Sequence, residues 1–273
     1  MQKTLPFLIN NETQKFLRVQ DTVKPLFDEI LWNVPEQKSG ILNIIGGSAS
    51  GFANLVRVSE FARRMPFEKV YTVIPESTRK FLPIDVMNVK FAPATSSGSF
   101  DDSMKLSEMI EAGEANLFLG EMSKNSVTAI AMAKAIAGSQ KLCIIARDAL
   151  DLVTVESANF LEKENVVLVA SILQLQKILR AVYFPKMLLL SAPLLLITEV
   201  LHKFTLSYGV TILTYAEGNI IVAKNGEVVI TKIEFTKYAP MSLWSGELAV
   251  KIAGLVVWSP GKIFEATVSA IIY

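Results

Sequence analysis

The chain has 273 residues, 51% of them hydrophobic and 19% charged, which is enough apolar material for one large α/β core or two small ones. With 27 Lys and Arg against 26 Asp and Glu, the formal net charge is +1, so there is no electrostatic case for nucleic acid or an anionic membrane. A single cysteine, Cys143, and a single histidine, His202, exclude an internal disulfide, a cysteine-rich zinc site and a two-histidine metal site within one chain.

Residues 1–40 read as a mostly helical lead-in that ends at the polar PEQKSG. Its opening, MQKTLPFLINNETQ, has a short apolar patch broken by Pro6 and makes a poor signal peptide, so a cytoplasmic protein is expected. ILNII (41–45) is a continuous apolar run followed by glycines, the pattern of a strand buried on both faces. FANLVRVSEFARRM (52–65) has apolar residues at helical spacing, with Arg57, Glu60 and Arg64 outside. Strands follow at KVYTVIP (69–75) and VKFAPA (89–94), then the loop SSGS (96–99) and a helix over 102–113. The alternation continues through ANLFLG (115–120), a helix over 126–139, KLCIIA (141–146), NVVLVA (165–170) and a helix over 172–182.

MLLLSAPLLLITEVL (187–201) is the most apolar stretch, uncharged from Met187 to Thr198 with Pro193 inside. A membrane helix takes about 18 or more such residues, so the stretch reads as a buried helix. GVTILTYA (209–216) is another strand. The segment 219–234 is a β-hairpin, with Asn225-Gly226 supplying the positive φ angles of a type I′ turn. Two helices close the chain, from SGELAVKIAGLVVW into KIFEATVSAIIY. Repeated strand–helix alternation implies a mostly parallel sheet covered on both faces, a three-layer α/β/α fold. With no linker, solenoid period or low-complexity segment, residues 1–273 read as one domain.

Several places carry chemistry. Ser245-Gly246 is a turn of small residues before a helix, where free backbone N–H groups and the helix dipole can hold an anion. Glu247 then serves as a base or as a first-turn acid favoured by the dipole. Gly46-Gly47-Ser48 follows a buried strand and either lets a ligand approach the backbone or forms a tight turn with Ser48 or Ser50 as N-cap. Asp148 stands at a strand's carboxyl end, where doubly wound sheets place ligands, or caps the next helix. Cys143, His202, Lys224, Asn225, Arg63 and Arg64 are read as structural.

In order along the chain, ILNIIGGSASGFANLVRVSEFAR, VYTVIPES, ANLFLGEMSKN, CIIARDALDLV, VVLVASILQLQKIL, VTILTYAEGNIIVAKNG and WSGELAVKIAGLVV resemble the landmarks of the ribokinase-like superfamily. More narrowly, they resemble its ADP/ATP-dependent NAD(P)H-hydrate dehydratases. The resemblance covers roughly residues 24–273. It implies a ribokinase-like fold, ATP or ADP with Mg²⁺, phosphoryl transfer to the hydroxyl of hydrated NAD(P)H followed by elimination, and a homo-oligomer. It implies Glu247 as the catalytic carboxylate and Ser245 and Gly246 as phosphate-binding. Gly46, Gly47, Ser48, Gly120 and Asp148 then lie on the substrate side, and no residue set is dedicated to a metal.

The departures are chemical. Glu121, Met122 and Ser123 replace the residues after Gly120 in a Gly-Pro-Gly-Leu-Gly turn. Ala146 stands for the first Asp of Asp-Ala-Asp-Ala-Leu. Val169, Ala170 and Ser171 replace Thr-Pro-His, Gln174 replaces a Glu, and Thr214 and Tyr215 replace Lys-Gly. Trp244 precedes the phosphate turn, and Glu247 replaces Asp. An alternative is therefore a catalytically inactive ribokinase-like protein with a binding or assembly role, needing no cofactor. A second alternative is a Rossmann-type dinucleotide binder, because IIGGSASG is followed by a helix, a strand and Glu76, although Ser48 stands where that motif has its second glycine.

Overall fold

The computed structural model describes residues 12–82, 88–102, 104–233 and 243–273. Residues 1–11 of the expected lead-in, Ser103 of the expected helix 102–113 and Glu234 of the expected hairpin lie outside them. The first described elements are strand β1 (Leu17–Gln20) and a single helical turn, α1 (Glu29–Trp32). The alternating part runs β2 (Ile41–Gly46), α2 (Ala53–Arg63), β3 (Lys69–Pro75), β4 (Val89–Ala92), α3 (Met104–Glu111), β5 (Ala115–Gly120), α4 (Ser126–Gly138), β6 (Leu142–Ala146), α5 (Asp148–Val153), β7 (Val166–Val169), α6 (Ile172–Ala181) and α7 (Leu194–Ser207). Strands β8 (Thr211–Ala216), β9 (Asn219–Lys224) and β10 (Glu227–Lys232) precede the closing helices α8 (Glu247–Trp258) and α9 (Ile263–Ser269).

The ten strands form one sheet in the order β1-β10-β9-β8-β7-β6-β5-β2-β3-β4. Pairing is parallel from β8 through β4, and β9 runs antiparallel to both neighbours. From β2 the chain winds outward through β3 and β4, returns to β5 beside β2, and winds the other way through β6, β7 and β8. The direction reverses between β2 and β5, and ligands of open α/β sheets bind beyond the carboxyl ends at such a point.

Side chains of the strands alternate between two apolar layers. Ile45, Phe118, Cys143, Ile145 and Leu168 pack with α3 to α7. Ile44, Leu117, Leu119, Ile144 and Val167 pack with α1, α2, α8 and α9. This is the three-layer α/β/α architecture expected from the sequence. One polar row crosses the interior, where Asn43 is in register with Asn116 and donates Nδ2 to its Oδ1 at 2.9 Å.

Two segments differ from expectation. The lead-in is not mostly helical among its described residues, because β1 instead adds to the sheet edge in parallel with β10. Its LRVQ alternates too briefly to show a period, and the partner that makes it a strand lies more than 200 positions away, as in the pairing of Leu17 with Val228. The apolar helix starts late. Pro193 is the N-cap of α7, and Met187, Leu189 and Leu190 before it are 60%, 64% and 70% exposed. Proline has no N–H to give and biases the residue before it away from helix, so it opens this helix instead of lying within it. No helix among the described residues is long and apolar enough to cross a membrane.

Candidate functional site

A cleft of about 590 Å³ opens at the carboxyl edge of the sheet. It is lined by Arg57 from α2, Arg147 and Asp148 after β6, Ser171 and Gln174 at the start of α6, and Trp244, Ser245 and Glu247 at the start of α8. Ser245, Glu247 and Asp148, predicted from segments about a hundred positions apart, are brought together here. Gly46, Gly47, Ser48 and Gly120 are not among the lining residues.

Helix α8 can start where it does because Gly246 takes φ +102°. The backbone angle calls for glycine, and a Cβ there, 2.5 Å from Leu119 Cδ1, would also have to displace that side chain. Glu247 is thereby the first helical residue, and its N–H donates to Ser245 Oγ at 3.3 Å. Its partly buried carboxylate is held at the positive end of the helix dipole. One turn on, burial lowers the Lys251 pKa, and the nearby charge of Glu247 raises it again.

The glycine turn after β2 is closed by its neighbours. Gly47 N–H donates to Gly120 O at 2.8 Å, and Ser48 exchanges backbone hydrogen bonds with Gly51 at 3.0 and 3.1 Å. Ser48 is 1% exposed, and its hydroxyl lies 2.8 Å from Ser50 Oγ. Neither serine caps α2. Glu121 does so from across the sheet, its carboxylate accepting from Asn54 N–H at 3.1 Å and Leu55 N–H at 3.0 Å. Nothing in the sequence marked this residue as a cap, because it lies 66 positions from Leu55.

Asp148 is similarly engaged. Its Oδ2 accepts the Glu121 N–H at 2.8 Å, and Arg147 Nε lies 3.7 Å from Oδ1. A Cβ at Gly120, whose φ is +104°, would lie 2.2 Å from that Oδ1, which is why the strand ends on glycine. Gln174 completes a capping box with Ser171. Its Oε1 accepts Ser171 N–H at 3.0 Å, and its N–H donates to Ser171 Oγ at 3.2 Å. The Gln174 amide also donates to Arg147 O at 2.8 Å and to Asp151 Oδ2 at 2.7 Å. Arg147 itself has φ 55° and ψ −142°, a conformation side-chain-bearing residues avoid.

Four of the residues read as structural make local packing or hydrogen-bond contacts. His202 Nδ1 lies 2.5 Å from Gly226 O, with its ring stacked on Phe16. Asn225 and Gly226 form the positive-φ hairpin turn, and Lys224 Nζ donates to Glu164 O. Cys143 is buried, which pushes its thiol pKa up to about 12.

Solved structures share this fold over most of their length. A ribokinase-like superfamily protein from Enterococcus faecalis aligns with a TM-score of 0.69 at 15% identity, over 93% of this chain and 86% of its own. The fold is ribokinase-like. A hypothetical protein from Streptococcus mutans aligns equally well, with a TM-score of 0.69 at 14% identity, over 93% of this chain and 88% of its own. The ADP/ATP-dependent NAD(P)H-hydrate dehydratase of Bacillus subtilis, co-crystallised with ATP/Mg²⁺, shares the ribokinase-like fold with a TM-score of 0.57 at 11% identity, over 89% of this chain and 84% of its own. No protein-family profile matches the sequence, and no curated protein does.

Proposed function

We propose that this chain is a nucleotide-dependent enzyme acting on a small molecule bound in the carboxyl-edge cleft, with Glu247 as general base. The observation that carries this reading is the position of Glu247. It opens α8 directly after Gly246 and lines the same cleft as Ser245 and Arg147. A carboxylate there can accept the proton of a substrate hydroxyl while the helix N-terminus and a cation stabilise the transferring phosphoryl group. The fold shared with the B. subtilis dehydratase supports hydrated NAD(P)H as substrate and ATP or ADP as donor. The hydroxyl oxygen gives its proton to Glu247 and attacks the terminal phosphorus, the nucleotide leaves one phosphate shorter, and loss of phosphate with a proton from the neighbouring carbon forms the double bond.

Magnesium fits this cleft poorly. The ion takes one or two carboxylates together with substrate phosphates. Asp148 already accepts the Glu121 N–H and has the Arg147 guanidinium beside it. No step here is routed through the ion.

A second reading, binding without turnover, is favoured by Glu121. Its carboxylate holds N–H groups at the start of α2 that a ligand beside the Gly46-Gly47 turn would use. The same contact weighs against a Rossmann-type dinucleotide site, which seats pyrophosphate on the first helix N-terminus. Two measurements separate the readings. Calorimetric titration with ADP, ATP and NAD is expected to show binding of an adenine nucleotide, and no heat with any of them overturns both. Turnover of hydrated NADH with ATP or ADP is expected to fall at least about 100-fold in Glu247→Gln. Equal rates in the two proteins remove Glu247 as base, and binding without turnover in the unaltered chain selects the second reading.

A further inference from the structure

We propose that Arg147 is the anion-binding residue of the cleft and that it supplies, in place of a metal ion, the positive charge that holds a ligand's phosphoryl group. The proposal rests on the cleft being the ligand site and extends that reading to the class of group bound there. Three independent features of Arg147 converge on it.

The first is its backbone. A φ of 55° with ψ −142° is close to a region that only glycine enters without strain. The conformation is imposed from outside, since the Arg147 carbonyl accepts from the Gln174 amide at 2.8 Å and from Leu150 N–H at 3.2 Å. A position that calls for glycine carries the longest cationic side chain, and strain of this kind persists where a site uses it.

The second feature is the guanidinium. It has five donors in a planar fork suited to phosphate oxygens. Nε is buried with no hydrogen-bond partner among the described residues, because Asp148 Oδ1 at 3.7 Å is beyond bonding distance. Nη1 reaches Trp244 O only at 3.5 Å. The side chain is 29% exposed on the cleft wall, so it is held in place with its donors under-used.

The third feature is the surroundings. Arg57 lines the cleft from α2, its Nη2 resting on Asn54 Oδ1 at 2.9 Å. The start of α8 adds its dipole. Two acids, Asp148 and Glu247, line the same space. They offset the two arginines, and Asp148 limits the affinity Arg147 can offer. A di- or triphosphate brings enough negative charge to draw the guanidinium away from Asp148.

The test is calorimetry on the full chain with inorganic pyrophosphate, ADP and ATP, each in EDTA and in excess Mg²⁺. Pyrophosphate and ADP are expected to bind in EDTA, with Mg²⁺ changing the affinity by less than about threefold. Arg147→Gln and Arg147→Gly are each expected to weaken binding by about 10-fold or more. Arg147→Gly is also expected to melt no lower than the unaltered chain, since glycine accepts this backbone freely. Lost binding in that variant therefore cannot be assigned to unfolding. Binding that requires Mg²⁺, or equal affinity in the variants, overturns the role of Arg147 while leaving the nucleotide reading intact. Pyrophosphate binding in EDTA without nucleotide binding supports Arg147 and overturns the nucleotide reading. No binding of any of the three overturns both.

Discussion

Replacing Glu121 with alanine removes the carboxylate that joins β5 to α2. Two N–H groups, at Asn54 and Leu55, then lose acceptors at 3.1 and 3.0 Å. Loss of a helix cap costs about 0.5–2 kcal/mol. Loss of a negative charge at a helix N-terminus costs a further ~0.3–1 kcal/mol in a partly exposed setting. The backbone bond from Glu121 N–H to Asp148 survives the substitution, and alanine inherits the positive φ, so neither changes the sum. The expected destabilisation is about 1–3 kcal/mol, a fall of roughly 4–8 °C in melting temperature at the middle of that range. Glu121→Gln keeps one acceptor oxygen and should lose about half as much. Urea and thermal denaturation of the three proteins measure this directly. The vacated helix start should also make Glu121→Ala more responsive than the parent chain to added phosphate or sulfate. A Glu121→Ala protein within about 0.3 kcal/mol of the parent, with no added response to anions, refutes the cap.

Gln174→Ala breaks the capping box of α6 and the amide bonds to Arg147 O and Asp151. Because Gln174 is buried, a loss of about 2–3 kcal/mol in urea denaturation is expected. The weakened hold on Arg147 should lower pyrophosphate affinity as well. Cys143 should be inert to thiol reagents at pH 8 in the folded chain and react stoichiometrically once unfolded, since only the thiolate attacks. Its folded pKa of about 12 lies above the unfolded value. The thiol thus leaves stability unaffected below about pH 8.5 and costs about 1.4 kcal/mol per pH unit above it, until the folded pKa is reached. A Cys143→Ala variant that lost stability over pH 9–11 as steeply as the parent would refute that assignment.

Much of the fold was legible in the sequence because its elements announce themselves locally. ANLFLG is buried along its whole length and KVYTVIP over its last four residues, and largely apolar runs are how strands covered on both faces read. The Asn225-Gly226 turn was legible for the same reason, since few residue pairs accept two positive φ angles. The start of α8 was also readable, with Gly246 before Glu247, because glycine and a first-turn acid are local requirements of that geometry.

What only the tertiary structure decided is who answers whom across the sheet. Ser48 and Ser50 have the chemistry to cap α2, yet Glu121 performs the task from the end of a neighbouring strand. Arg147 lies next to a recognisable Asp148-Ala149-Leu150, but its backbone angle, and an Nε with no hydrogen bond among the described residues, arise from Gln174 and Asp148 closing around it. Arg57 reads as one more charge on an outer helix face until the cleft is seen to reach it. Periodicity and turn chemistry act over a few residues, and the sequence by itself determined the layers and most of the sheet. Hydrogen bonds and charges at the carboxyl edge join residues tens to nearly two hundred positions apart, so their partners exist only once the parallel strands have set those loops side by side.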